Sequence, residues 1–275
     1  MKYENEIENK ELDFYKSELS KTSSTRFQKA IEKFFMAALG VIPWVGGFIA
    51  AVASFKTEEA DLKRESLQNQ WLEEHSLKMI KLRQTLMEIS KRFENIGEQI
   101  NERIESEEYL DIVRKAFRIW DQADTEEKRG YISKLIANSA GSRLCSDDVV
   151  RLFIDWLNSY HESHFAIITE IYNTPGVTRY EIWHSIYNIE VRDDSAEADL
   201  YKRLIRDLST GGVIRQVRDI TNEGQFLKKI HYKKTVKTAT IETAFENTKS
   251  YVLTELGQQF VHYSMTELVP RIDEN

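Results

Sequence analysis

One cysteine, three prolines and eleven glycines are all that the 275 residues contain of these types. A lone thiol, Cys145, closes no intrachain disulfide and builds no thiolate zinc site, so a reducing compartment, the cytoplasm, is expected. Average usage of about 5% proline and 7% glycine would give roughly 14 and 19 of them, so the backbone is seldom interrupted and long helices are favoured. No HExxH, Walker A, GxGxxG or GxSxG pattern occurs. The opening MKYENEIENK is charged and lacks the apolar core of a secretory signal. Hydrophobic residues make up 41% and charged ones 30%, too apolar a balance for intrinsic disorder and too charged a one for a polytopic membrane protein. The length fits one large domain or two ordinary ones.

What is present is unevenly distributed. Ser23, Ser24 and Thr25 offer capping side chains before RFQKAIEKFF, and residues 34–55, FFMAALGVIPWVGGFIAAVASF, then carry no charge. As one helix, 22 residues at about 1.5 Å each reach about 33 Å, enough for a bilayer core of about 30 Å. Pro43, with Gly40, Gly46 and Gly47 around it, predicts instead a break into two short helices, a hairpin suited to burial in a core or to insertion in a membrane. Gly46, Ala50 and Ser54, with Gly47 and Ala51, set small residues four apart, as close helix approach requires. Phe34, Phe35, Ile42, Pro43, Trp44, Gly46, Gly47 and Phe48 are the candidate membrane or assembly residues. The layout of an apolar hairpin followed by a long amphipathic helix resembles that of helical pore-forming proteins.

Residues 58–108 contain no proline and only Gly97, which predicts a long helix. Met79, Leu82, Leu86, Ile89, Phe93, Ile96 and Ile100 advance by threes and fours, forming a heptad seam that Leu72 and His75 extend backwards. Antiparallel packing within the chain and an intermolecular coiled coil, with this seam as the oligomer interface, are both open. YLDIVRKAFRIWDQA and TEEKRGYISKLIANSA follow as amphipathic helices, with Asp124 and Glu127 as the expected cap of the second. The polar GSRLCSDD marks the expected boundary between residues 1–145 and 146–275.

From about Ser163 the order is helix (HFAIITEIYN), turn, helix (TRYEIWHSIYN), connector, helix (SAEADLYKRLIRDLST), Gly211-Gly212, a strand-like VIRQVRDI, and a final helix beginning in YVLTELGQQFVHY. Leu204, Leu208, Gly212 and Ile214, spaced LxxxLxxxGxI, differ by one residue in the first step from "LxxLxxxGxI", and on them this half resembles a winged helix-turn-helix domain. Leu200, Leu204 and Leu208 are expected to face the core. From residue 201 to 237 ten Lys or Arg stand against three acids, a local charge of +7 in a chain of net charge −7. Lys202, Arg203, Arg206, Arg215, Arg218, Lys228, Lys229, Lys233 and Lys234 are therefore candidate nucleic-acid contacts, since in a winged helix the third helix and the wing lie where phosphates are gripped. A lysine-rich edge hairpin that discourages strand pairing is the alternative. Residues 221–250 are more than a simple wing needs.

His161 and His164 in HESH are the candidate metal pair, but two ligands do not complete a site. His184, His262 and Cys145 read as packed or bystander groups. Ile42, Pro43, Gly46 and Gly47, then Ala123, Asp124, Glu127, Lys128 and Arg129, then the winged-helix residues, together resemble uncharacterised bacterial proteins of the abortive-infection alpha type, associated with phage defence. That resemblance implies a role in halting phage propagation and supplies no catalytic residue. The fold expected is mainly α: an N-terminal long-helix bundle or coiled coil with an apolar helical hairpin, and a C-terminal winged helix with a small β-wing. The function expected is non-enzymatic, without metal, cofactor or small-molecule substrate. Its expected partners are membrane through the hairpin, nucleic acid or protein through the winged helix, and further copies of the chain; the location is cytoplasmic or at the inner membrane. The alternative is a soluble DNA-binding transcriptional regulator that dimerises through the N-terminal coiled coil.

Overall fold

The computed structural model describes residues 26–54, 62–142, 144–217 and 243–266. Among them are eleven α-helices and a three-stranded antiparallel sheet that lies in the C-terminal half. The chain divides into two compact units, Met1–Ser159 with Tyr263–Asn275, and Tyr160–His262. The division falls one helix later than the polar GSRLCSDD, because α7 (Asp147–Ser159) packs on α5 (Glu107–Gln122) and α6 (Glu126–Gly141).

In the first unit, α1 (Arg26–Leu39) buries Ala30, Phe34, Phe35, Ala37 and Ala38 on one stripe. Residues 23–25, its expected caps, lie outside the described residues. The helix stops at Gly40, whose N–H bonds to the Met36 carbonyl at 3.0 Å. Pro43 then opens α2 (Pro43–Ser54) at the first helical position, where its missing N–H costs no hydrogen bond. The two axes meet at 97°, so the uncharged run is bent, as Pro43 and its glycines predict.

The expected 58–108 rod is shorter. Helix α3 (Leu62–Ile96) ends at Gly97, which takes φ +87°, a conformation that ends helices readily at glycine. The Gln99 side chain donates to the freed Ile96 carbonyl at 2.9 Å. A short 3-10 turn (Glu98–Ile100) and α4 (Asn101–Glu105) follow, and Ser106 caps α5 by accepting from the Tyr109 N–H at 3.4 Å. Thr125 caps α6, accepting from the Lys128 N–H at 3.3 Å, in place of the expected Asp124.

The heptad seam of α3 is covered by its own chain. Met79, Leu82, Leu86, Ile89, Phe93 and Ile100 are buried, Ile96 packs beside Gly141 of α6, and α3 and α6 form an extensive helix pair. Of the two partners left open for this seam, the intrachain one is present. At the centre Phe34 of α1 meets Phe93 of α3 edge-on, centroids 5.2 Å apart, and Phe117 of α5 at 6.1 Å. Arg103 forms a two-pronged ion pair with Asp147, Nη1 to Oδ2 at 2.9 Å, while its guanidinium lies 5.1 Å from the Tyr109 ring centroid.

The second unit runs α8 (Glu162–Asn173), β1 (Val177–Thr178), α9 (Arg179–Tyr187), α10 (Ala196–Thr210), β2 (Ile214–Gln216), β3 (Ser250–Leu253) and α11 (Glu255–Phe260). The sheet order is β1-β3-β2, with Val177 opposite Tyr251 and Arg215 opposite Val252. Tyr251-Val252-Leu253, expected in the final helix, are strand; the helix starts only after Thr254, whose hydroxyl accepts the Gly257 N–H at 2.9 Å. Helix α10 buries Ala198, Tyr201, Leu204, Ile205 and Leu208, whereas Leu200 is 55% exposed. A strict four-residue step drifts about 40° per repeat from a 3.6-residue helix, which carries Leu200 off the stripe. Trp183, Tyr201 and Phe245 close the core with centroids 5.2 to 6.0 Å apart.

If the seam is satisfied within one chain, Leu86→Ala removes core and no interface. We expect it to cost about 2–5 kcal/mol in denaturant unfolding and to leave the sedimentation mass unchanged; a fall in mass would assign the seam to an interface between copies.

Candidate functional site

The candidate membrane or assembly residues do not form one surface. Phe34, Phe35, Ile42 and Phe48 point into the core together with Val45, while Pro43, Gly46 and Gly47 are exposed and Trp44 is half-buried. The open side continues through Ala50, Ile49 (38% exposed) and Met36 (57%). The bent segment therefore has a core face and an outer face, both without charge. No single described helix is long and apolar enough to cross a membrane; the pair Arg26–Leu39 and Pro43–Ala51 together have the length and composition, with the 97° bend between them.

The apex of this segment touches His75, which the sequence placed on the heptad seam, and Asp121 and Trp71, which no sequence motif singles out. Trp44 donates its indole N–H to Asp121 Oδ1 of α5 at 2.6 Å. Its ring stands edge-on to His75 of α3, centroids 5.3 Å apart, and His75 stacks on Trp71 at 4.2 Å. The His75 ring is fixed by Nδ1, 2.8 Å from the Trp71 carbonyl, and Phe48 lies 6.5 Å from Trp71. Trp71 and His75, four apart, offer a helix-face signal for this cluster; the partnership with Trp44 and Asp121 is long-range and left none.

In the second unit the basic residues differ in their surroundings. Lys202 reaches the Asp193 carbonyl at 3.1 Å and the Asp199 carboxylate at 3.6 Å, and Arg203 meets Asp207 at 3.4 Å. With Glu197, Asp199 and Asp207 against Lys202, Arg203 and Arg206, α10 is charge-balanced. Arg206 and Arg215 are exposed and make no ion pair among the described residues. Arg218, Lys228, Lys229, Lys233 and Lys234 lie outside the described residues. Asp193 clamps the returning chain, accepting the Ala244 N–H at 2.7 Å and the Thr243 hydroxyl at 3.0 Å. The Ala244 bond, ahead of Lys202, holds its carboxyl below the usual range.

His161 and His164 serve the start of α8. The His161 N–H donates to His164 Nδ1 at 3.1 Å, which leaves the proton of the neutral ring on Nε2. That nitrogen is buried and faces Asp207 Oδ2 at 3.8 Å, too far for a hydrogen bond. His164 is 3% exposed and stacks on Tyr160 at 4.9 Å. Burial, more strongly than the opposing pull of Asp207, lowers its pKa below the ordinary imidazole value, and burial pushes the Tyr160 hydroxyl up to about 12. Both ring nitrogens are thus directed at the protein itself. Among the described residues no group of three His, Cys, Asp or Glu is arranged for a metal. Cys145 is half-buried, and burial raises its thiol pKa, so little thiolate forms at neutral pH. His184 is exposed and stacks on Tyr180 at 6.1 Å, and burial lowers the His262 pKa. No protein-family model, curated protein or solved structure matches the chain.

The buried, neutral His164 has a pH signature. Its folded pKa lies below the ordinary 6.5, so the unfolded chain takes up more protons as pH falls through that value, and stability falls with it. We expect the thermal midpoint to drop between pH 7 and pH 5.5, and His164→Gln to flatten the drop; an unchanged slope in the variant would mean that His164 is not the titrating group.

Proposed function

We propose that the chain is a non-enzymatic protein of a bacterial defence or toxicity module. In this reading its helical unit carries an apolar bent segment that engages membrane or drives assembly, and its second unit, a winged helix, senses a partner. The observation that carries the reading is the two-sidedness of residues 34–51: Phe34, Ile42, Val45 and Phe48 are held in the core, while Met36, Gly46, Ile49 and Ala50 form an uncharged outer face. A soluble core helix ordinarily puts polar residues on its open side. A segment apolar on both sides is suited to an environment that covers both, such as lipid. The resemblance to abortive-infection alpha-type proteins supports the defence setting.

The test is flotation with vesicles of phosphatidylethanolamine and phosphatidylglycerol, with dye release. The full chain is expected to float and to leak the vesicles, and Ala50→Asp with Ala51→Asp to abolish both along with any toxicity on expression. A charge at the centre of a membrane helix costs about 2.5–3.5 kcal/mol. Retained leakage in the double variant would remove the membrane reading.

A second reading, duplex binding by the second unit read as a winged helix, is supported by the element order helix-strand-helix-helix-strand-strand and the β1-β3-β2 sheet, with Arg206 and Arg215 exposed. Arg206→Ala with Arg215→Ala is expected to weaken DNA binding several-fold and to reduce its salt slope by about 2, roughly one for each phosphate that is no longer neutralised. Arg203→Ala is expected to do less, since Asp207 already holds that guanidinium. An equal effect of all three would attribute binding to net charge alone.

A further inference from the structure

We infer that Trp44 and Asp121, with the Trp71–His75 stack, form a latch that keeps the apolar bent segment against the bundle. The inference rests on the reading that this segment leaves the bundle when the protein acts.

The segment's hold has two parts of different character. The core face beyond the bend is apolar and non-directional: Ile42, Val45 and Phe48 gain by leaving water, but a bilayer would solvate them as well as the bundle does. Apolar burial therefore does little to choose between the two environments. The second part is directional. The Trp44 N–H meets a carboxylate at 2.6 Å, a charge-assisted hydrogen bond that ties the first turn of α2 to the last turn of α5. The hydrocarbon core of a bilayer holds no acceptor for this N–H, so the contact favours the bundle over burial of Trp44 among acyl chains. The rings of His75 and Trp71 seat the same turn from α3: Trp44 packs edge-on to His75, and a Cβ on Gly47 would lie 3.7 Å from Trp71 Cη2.

Position gives the contact its leverage. It sits on α2, beyond the 97° bend, whereas the Phe34–Phe93–Phe117 cluster lies beneath α1 on the other side of that bend. It is also only part-buried, so solvent or a partner has access to it. Two ion pairs of α1, Arg26 with Glu102 at 3.6 Å and Lys33 with Glu105 at 4.0 Å, place both cations in contact with solvent, and such pairs hold weakly in salt. The outer face of α2, uncharged through Gly46, Ile49 and Ala50, does not oppose a departure into lipid.

The experiment is hydrogen–deuterium exchange on the full chain as wild type and as Trp44→Phe, Asp121→Leu and Asp121→Asn. Phenylalanine keeps a ring without the donor, leucine removes the acceptor, and asparagine retains an amide oxygen that can accept. Losing the hydrogen bond is expected to raise exchange over residues 43–51 by about tenfold or more in Trp44→Phe and Asp121→Leu, with α5 and α6 unchanged and Asp121→Asn near wild type. Unchanged exchange over 43–51 in both disruptive variants would overturn the latch. So would an increase spread across α5 and α6, which would make the contact a general part of the core. Flotation of the same proteins separates the latch from the reading beneath it. Local opening without vesicle binding leaves the latch standing and removes the membrane function; vesicle binding that rises without local opening overturns the latch.

Discussion

The edge-on packing of Phe34 between Phe93 and Phe117 is the contact on which the first unit depends, because it joins three helices of which one begins the uncharged run. Aromatic pairs in this geometry add to the area they bury, and all three rings are fully covered. Once Phe34 is fixed, helical periodicity places Ala37 and Ala38 on the same side and turns Met36 outward. The corner at Gly40 and Pro43 then brings Ile42, Val45 and Phe48 down on the bundle and leaves Gly46, Ile49 and Ala50 facing away. A stretch that by length could span a bilayer is thus folded into a half-covered bend by one anchor and one corner.

The same anchor organises α3. Its seam is straight enough to serve a coiled coil, but Phe93 belongs to the Phe34 cluster, and α6 supplies the facing surface for the turns around it. In the second unit the ordering principle is electrostatic as well as apolar. Asp193, Asp199 and Asp207 draw Lys202 and Arg203 into local pairs, so the cationic character of α10 is carried by Arg206, with Arg215 on the adjoining strand.

The sequence was most legible where a signal is local. Pro43 with its glycines announced the corner, the three-four spacing announced the buried face of α3, and the helices around YLDIVRKAFRIWDQA, TEEKRGYISKLIANSA and SAEADLYKRLIRDLST form close to where their periodicity puts them. Legibility failed where a single residue overrides a pattern or where the determinant is distant. Gly97 ends α3 because its left-handed backbone turns the chain out of the helix, although one glycine in fifty residues reads as tolerable. Tyr251, Val252 and Leu253 form strand because β1 and β2 flank them, and neither neighbour is adjacent in sequence. Leu200 continues the four-residue series of Leu204 and Leu208, but the buried stripe of the helix runs through Tyr201, Ile205 and Leu208. The contacts of Trp44 with Asp121, His75 and Trp71 connect three helices across 77 residues of chain at most, and nothing in the local pattern of any one of them shows it.

The central claim is that the uncharged bent segment has one face in the core and one in water. Thiol accessibility tests it directly, with single cysteines placed at Ala38 and at Ala50 in a Cys145→Ser background and challenged with a water-soluble maleimide. The account predicts rapid labelling at position 50 and labelling at position 38 only after denaturation, since Ala38 is fully buried and Ala50 exposed. Equal labelling of the two native proteins, or protection at position 50, would contradict it.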